Sequence, residues 1–191
     1  MRPPRFDAGA AARRLASSHR IAVLGCGGSG KSTAARGIAR ILGLPLVHLD
    51  ALHWLPGWQA RPEAEWAGLQ LELAAKDRWI MDGNYSQTLE IRLKRADAVL
   101  FLDLPRRVAL WRVFWRSVRL YGRVRPDLGA GCPEHFDFEF LRWIWDFPRR
   151  SRGKLMAACD AAPTGQVWLI PRTSRDVRRL MSELRALRVL N

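Results

Sequence analysis

Cysteine is scarce in this sequence. The three residues Cys26, Cys132 and Cys159 lie far apart, with no C-x-x-C pair. That pattern fits neither a zinc site nor a disulfide framework, and it suits a reducing compartment. Long apolar runs are missing too, none approaching the roughly 18 residues of a membrane span, so no membrane partner is expected. The first twenty residues hold arginines and alanines but no apolar core of a secretory signal. Residues 1–19 read as a flexible leader with one short helix, an organellar transit peptide is the minor alternative, and the expected location is the cytoplasm. Internal repeats, low-complexity linkers and helix-turn-helix, zinc or RRM patterns are absent. Acidic residues are outnumbered, 18 against 32 Lys and Arg, for a net charge of +14. Such a surplus implies a polyanionic partner, a highly charged substrate or an arginine-favouring genome.

A length of 191 residues supports one core, placed in residues 20–191. The run Gly25-Cys26-Gly27-Gly28-Ser29-Gly30-Lys31-Ser32 fits G-x-x-x-x-G-K-[ST], after an apolar strand at 21–24 and before a helical pattern to Leu42. The pattern is a phosphate cradle. Glycines let successive N–H groups face inward, the helix N-terminus adds partial positive charge, and Lys31 supplies a mobile cation. Ser32 offers its hydroxyl to magnesium. Gly25, Gly27, Gly28, Ser29, Gly30, Lys31, Ser32 and Thr33 are therefore the expected ATP contacts, with Mg2+ as companion.

Further strands are expected at 45–50, 78–82, 98–103 and 166–170. Helices are expected from Pro62, over 86–95, from Pro105 to Tyr121, over 138–158 with a break at Pro148, and over 174–190. Strands alternating with helices give an α/β, three-layer fold on a five-stranded, mainly parallel sheet. Ligands in such sheets bind beyond the carboxyl ends of the strands.

Those ends carry Asp50, Asp82 and Asp103. Asp82, followed by glycine, is placed to hold metal. Asp50 leads into an aromatic stretch and is placed to orient or deprotonate an acceptor hydroxyl. Asp103 reads as a structural acceptor. Trp54 and Trp58 fit an acceptor pocket, whereas Trp79, Trp143 and Trp168 fit a core. Arg92 and Arg95 either hold an anionic acceptor or pair with Glu90 or Asp97. The histidines show no ligand spacing and read as structural. Between Leu104 and Arg125 lie seven arginines and no acidic residue. Arg112, Arg116, Arg119 and Arg123 fall in a stripe about 60° wide at helical spacing. Repulsion left uncompensated points to an anion outside the sequence, and in a phosphotransferase that anion is the triphosphate.

The phosphate loop, Leu49-Asp50-Ala51-Leu52-His53-Trp54 with Pro56-Gly57-Trp58, and Trp79-Ile80-Met81-Asp82-Gly83-Asn84-Tyr85 together resemble the topology modulation proteins. These are a branch of the adenylate-kinase-like P-loop NTPases. Arg125-Pro126-Asp127, Gly131-Cys132-Pro133-Glu134 and Phe140-Leu141-Arg142-Trp143 are also similar. The resemblance implies an adenylate-kinase-like core with sheet order 2-3-1-4-5 and two mobile arms, an acceptor arm at 51–77 and a lid at 122–136. It further implies that Arg112 and Arg116 hold phosphates at the lid base, and that Arg172 lies where the adenine packs. Asn84 and Tyr85 stand where adenylate kinases carry Gly-Phe-Pro-Arg after the aspartate, so the arginine of that motif is missing. Asp50, Trp54, Asn84, Tyr85 and Arg92 form the expected acceptor set. Lys31, Asp50, Arg112 and Arg116 form the expected catalytic set, and Ser32 and Asp82 the metal set.

Three functions fit these residues. The first is an ATP- and magnesium-dependent phosphotransferase with an unidentified small-molecule acceptor, nucleotides included. The second is an ATP-binding regulator that associates with nucleic acid, and the third an ATPase in which water replaces the acceptor.

Overall fold

The computed structural model describes residues 6–189. In chain order the elements are α1 (Ala8–Ala16), β1 (Arg20–Gly25), α2 (Lys31–Leu42), β2 (Leu46–His48) and α3 (Leu49–His53). The short strands β3 (Trp54–Leu55) and β4 (Gln59–Ala60) precede α4 (Glu63–Ala75), β5 (Trp79–Asp82), α5 (Leu89–Leu93) and β6 (Ala98–Leu102). Then follow α6 (Arg106–Leu120), α7 (Phe138–Phe147), a π-helical turn (Pro148–Arg152), α8 (Gly153–Asp160), β7 (Val167–Leu169) and α9 (Ser174–Val189).

The main sheet has the order β2-β5-β1-β6-β7, and every pairing is parallel. With the β3–β4 hairpin set apart, this is the expected order 2-3-1-4-5. Strands β1 and β6 are central because both faces of each are apolar. Ile21 and Val23 face a core shared with α1, α2 and α9, while Ala22 and Leu24 face a second core shared with α4, α6, α7 and α8. Alternation along one strand therefore supplies both cores, and the molecule has three layers.

Three expectations need correction. Most of the leader is ordered. Asp7 Oδ1 accepts from the Ala10 N–H at 2.9 Å and starts α1, whose Ala11, Ala12 and Leu15 are buried. Residues 1–5, and Leu190 at the expected end of the last helix, lie outside the described residues. The second strand stops at His48, so Asp50 sits in the first turn of α3 and not at a strand end. The helix expected at 86–95 shrinks to α5, Leu89–Leu93.

The break at Pro148 is a widened helical turn. Proline has no N–H to give the carbonyl of Ile144 four residues back. The Cys26 thiol stands 3.9 Å from that oxygen as its donor. Burial, ahead of an opposing pull from Lys31, raises the Cys26 thiol to about 11, so it keeps its proton. Cys26 thus ties the phosphate cradle to α7.

Candidate active site

The phosphate loop joins β1 to α2 and is wedged between α6 and α7. Gly28 has φ +76°, and a side chain there would run into the carbonyl oxygen of Ala109 on α6. A Cβ on Gly27 would lie 2.5 Å from Cζ of Phe140, which therefore packs directly on the loop from α7. Lys31 Nζ donates to the Cys26 carbonyl at 3.1 Å, across the loop that it would share with phosphate.

The loop is clamped to the end of β5. Asn84 Oδ1 accepts from the Gly25 N–H at 3.0 Å, and Asn84 Nδ2 donates to the Gly25 carbonyl at 2.7 Å. Asn84, expected to touch the acceptor, spends its amide on the cradle. Replacing Asn84 with Ala removes both bonds at about 1 kcal/mol each. With the cradle less firmly held, nucleotide affinity, read by titration calorimetry, is then expected to fall by up to about thirtyfold.

Arg92 departs further from expectation. Its side chain is fully buried, and it donates to the carbonyls of Gly83 (2.7 Å) and Asn84. Burial lowers it to about 10, against the opposing influence of Tyr85 and Asp82. It does not line the cleft described below. Its task is to hold the turn that carries Asn84 and Tyr85, where Tyr85 takes a positive φ of 41°.

A cleft of about 900 Å³ opens beside the loop, lined by Lys31, Asp50, Trp54, Asn84, Tyr85 and Arg116 among others. Tyr85 donates its hydroxyl to Asp50 Oδ1 at 2.7 Å. Burial first, and then the Asp50 charge and hydrogen bond, push the phenol up, so it stays protonated as the donor to Asp50. Trp54, Trp58, His53, Trp66 and Tyr85 form a chain of edge-to-face and tilted ring contacts.

Asp82 is 4% exposed. Its Oδ2 lies 2.9 Å from His48 Nδ1, and its buried Oδ1 has no protein partner. An orphaned carboxylate oxygen at a strand end beside the cradle fits a magnesium-bound water. Among the described residues no cluster of three His, Cys, Asp or Glu could hold a metal. His48, expected to be structural only, is the neighbour of the expected metal carboxylate.

The arginine stripe divides in two. Arg112 donates to the Ser29 carbonyl at 3.0 Å and to Ser174 Oγ at 2.9 Å, both neutral oxygens, and so bridges the loop to the start of α9. Arg116 Nε donates to Glu134 Oε1 at 2.9 Å. Its charge is therefore compensated, contrary to the expectation of an anion missing from the chain. Arg119 stands 5.9 Å over the Trp115 ring, and Arg123 is exposed. Arg172 is half exposed, 4.0 Å from Asp103, and outside the cleft lining. Asp103 is a structural acceptor as expected, gripped by Arg152 through two bonds of 2.8 Å.

Glu134 is the residue at the site that sequence reasoning missed. It is 4% exposed, accepts from Ser117 Oγ at 3.1 Å, and pairs with Arg125 at 2.9 Å. Arg125 in turn reaches Asp127 at 3.2 Å, and Asp127 lies 3.7 Å from Arg36. Burial pushes the Asp127 carboxyl up, but Arg125, Arg36, its own backbone N–H and the Ser32 hydroxyl together hold it low. A carboxylate of the expected lid thus stands against the hydroxyl expected to serve metal. Residues 57–58 and 131–133 also meet: the Gly57 N–H donates to the Gly131 carbonyl (2.9 Å) and Trp58 Nε1 to the Pro133 carbonyl (3.1 Å).

No family model and no curated protein matches this chain. Among solved structures it is similar to a shikimate kinase from Bacteroides thetaiotaomicron, with a TM-score of 0.51 and 19% identity over 90% of this chain and 98% of that one. A gluconokinase from Sinorhizobium meliloti 1021 gives 0.50 and 19% over 90% and 94%. A shikimate kinase from Acinetobacter baumannii in complex with shikimate gives 0.50 and 17% over 94% and 98%. Sheet order, phosphate loop and these likenesses agree that the fold is that of the α/β P-loop kinases.

Proposed function

We propose that this chain is an ATP- and magnesium-dependent phosphotransferase acting on the hydroxyl of a small molecule held in the aromatic cleft. The observation that carries the reading is that Lys31, the cradle's cation, and Asp50, a carboxylate fixed by Tyr85, line one cleft. The similar solved structures are kinases by name, which supports the same class.

Residues 25–33 would bind the triphosphate, and Arg172 would pack by the base. Ser32 and Asp82 would hold Mg2+, whose chemistry is to neutralise the phosphate oxygens. Lys31, Arg112 and Arg116 stabilise charge on the transferring group. Asp50 orients the acceptor hydroxyl and takes its proton as the new P–O bond forms and the β–γ bridge breaks. Trp54 and Tyr85 wall the acceptor. Residues 51–77 and 122–136 act as acceptor arm and lid, as in the topology modulation proteins that the motifs resemble.

The test is ATP consumption with panels of nucleosides, nucleoside monophosphates and sugars. Acceptor-dependent turnover is expected, and the Asp50→Asn variant should lose about 10²–10⁴ of it while still binding ATP. Equal turnover by that variant would remove Asp50 from the chemistry. Of the basic stripe, only Arg119 and Arg123 face away from the site, which leaves the nucleic-acid reading a smaller surface than the sequence implied.

A further inference from the structure

We propose that the outer face of α6 docks this protein on the surface of an anionic lipid bilayer. Trp111, Phe114, Trp115, Val118 and Tyr121 are 63, 44, 38, 43 and 64% exposed. At about 100° per residue they share one arc of roughly 120°. The rings pack on each other, with Trp111–Trp115 at 5.5 Å and Phe114–Trp115 at 5.8 Å, and Phe136 extends the strip at 6.0 Å from Phe114. The strip is contiguous, unlike the scattered apolar residues of an ordinary surface.

Arg107 and Arg119, both exposed, stand beside it on α6, Arg123 follows in solvent just past the helix end, and Ala109, Val113 and Ser117 fill the buried side. The helix therefore has a core face, an outward apolar face and an outward cationic edge. Aromatic rings beside arginines are what an interfacial helix needs: the rings enter the acyl boundary and the guanidinium groups meet lipid phosphates.

Charge selects among occupants. No acidic residue lies between Leu104 and Arg125, so a second copy docked face to face would set arginine against arginine. Nucleic acid would satisfy the arginines, but Val118 has nothing to gain from it and the rings already pack edge-on against each other. A bilayer with anionic headgroups complements both features. Phe114 and Phe136 also line the cleft, so its mouth would open at the membrane surface.

Co-sedimentation of the full chain with vesicles tests this, using phosphatidylcholine alone and with about a quarter phosphatidylglycerol. Partition onto the anionic vesicles only is expected. A Trp111→Ser, Tyr121→Ser double variant and an Arg107→Gln, Arg119→Gln double variant should each lose about tenfold or more in partition. All four side chains are exposed and lie outside the cleft lining, so melting temperature and ATP binding should not change. Absence of vesicle binding, equal binding to neutral vesicles, or undiminished binding by both variants would overturn the proposal. So would self-association, or single-stranded DNA binding, that the Trp111 and Tyr121 changes abolish while vesicles are ignored.

Discussion

Replacing Lys31 with Ala is expected to lower ATP-dependent turnover by about 10³-fold, in the range seen when one preorganised charge is taken from a transition state. The side chain projects from the first turn of α2 into the cleft, and its 3.1 Å bond to the Cys26 carbonyl can be exchanged for a phosphate oxygen without moving the backbone. Losing that bond costs the empty protein only about 1 kcal/mol. The loop keeps its other ties, through Asn84 on Gly25 and Arg112 on Ser29. Activity should collapse while the unfolding midpoint shifts by a few degrees at most, as read by steady-state kinetics beside a thermal melt. Wild-type turnover in the variant would sink the assignment of the loop as a catalytic phosphate site.

Truncating Glu134 to Ala is expected to be the most destabilising single change at the lid. Its carboxylate is the common partner of Arg116 and Arg125, and the three side chains are 5, 24 and 13% exposed. Removing it strands two arginines with little water. Breaking a buried pair costs about 3–5 kcal/mol, and the partial access of Arg116 places the effect near the lower end. A loss of about 3 kcal/mol corresponds to a fall in melting temperature of roughly 6–12 °C. Added ATP with magnesium should restore more stability to the variant than to the wild type, because the phosphates replace the missing anion. A variant that melts like the wild type would show that the arginines have no need of Glu134.

The parts that were legible in the sequence are local ones. The glycine spacing before Lys31 reports its own backbone requirement, and strands such as β1 and β6 announce themselves by being apolar on both faces. Sheet order came from the resemblance carried by these motifs. What sequence could not show depends on which distant surfaces meet. The alanine-rich stretch of α1 is too weakly apolar to signal a core, and it is buried only because α9 lies across it. Arg92 looked like a ligand because arginines usually stay in solvent, and only the turn at 83–84 shows that it has two carbonyls to hold. Glu134 meets Arg116 through a lid fold that spacing alone does not encode. The outer aromatic face of α6 was hidden behind its arginines, since both patterns share the same helical period.

In the proposed reaction, the bonds between residues 57–58 and 131–133 would join the expected acceptor arm and lid into a single gate. With separate arms, a nucleotide could sit under a closed lid while the acceptor side stood open, and water would compete for the phosphoryl group. Here, moving the acceptor arm aside pulls on Gly131 and Pro133, next to the glutamate that organises Arg116 and Arg125. In the proposed reaction, admitting an acceptor therefore disarms the charge-stabilising set, and the set is rebuilt only when both arms return. Protection against wasteful hydrolysis is then a matter of mechanical timing, enforced by one indole, one backbone amide and the Cys132 thiol on the Leu55 carbonyl.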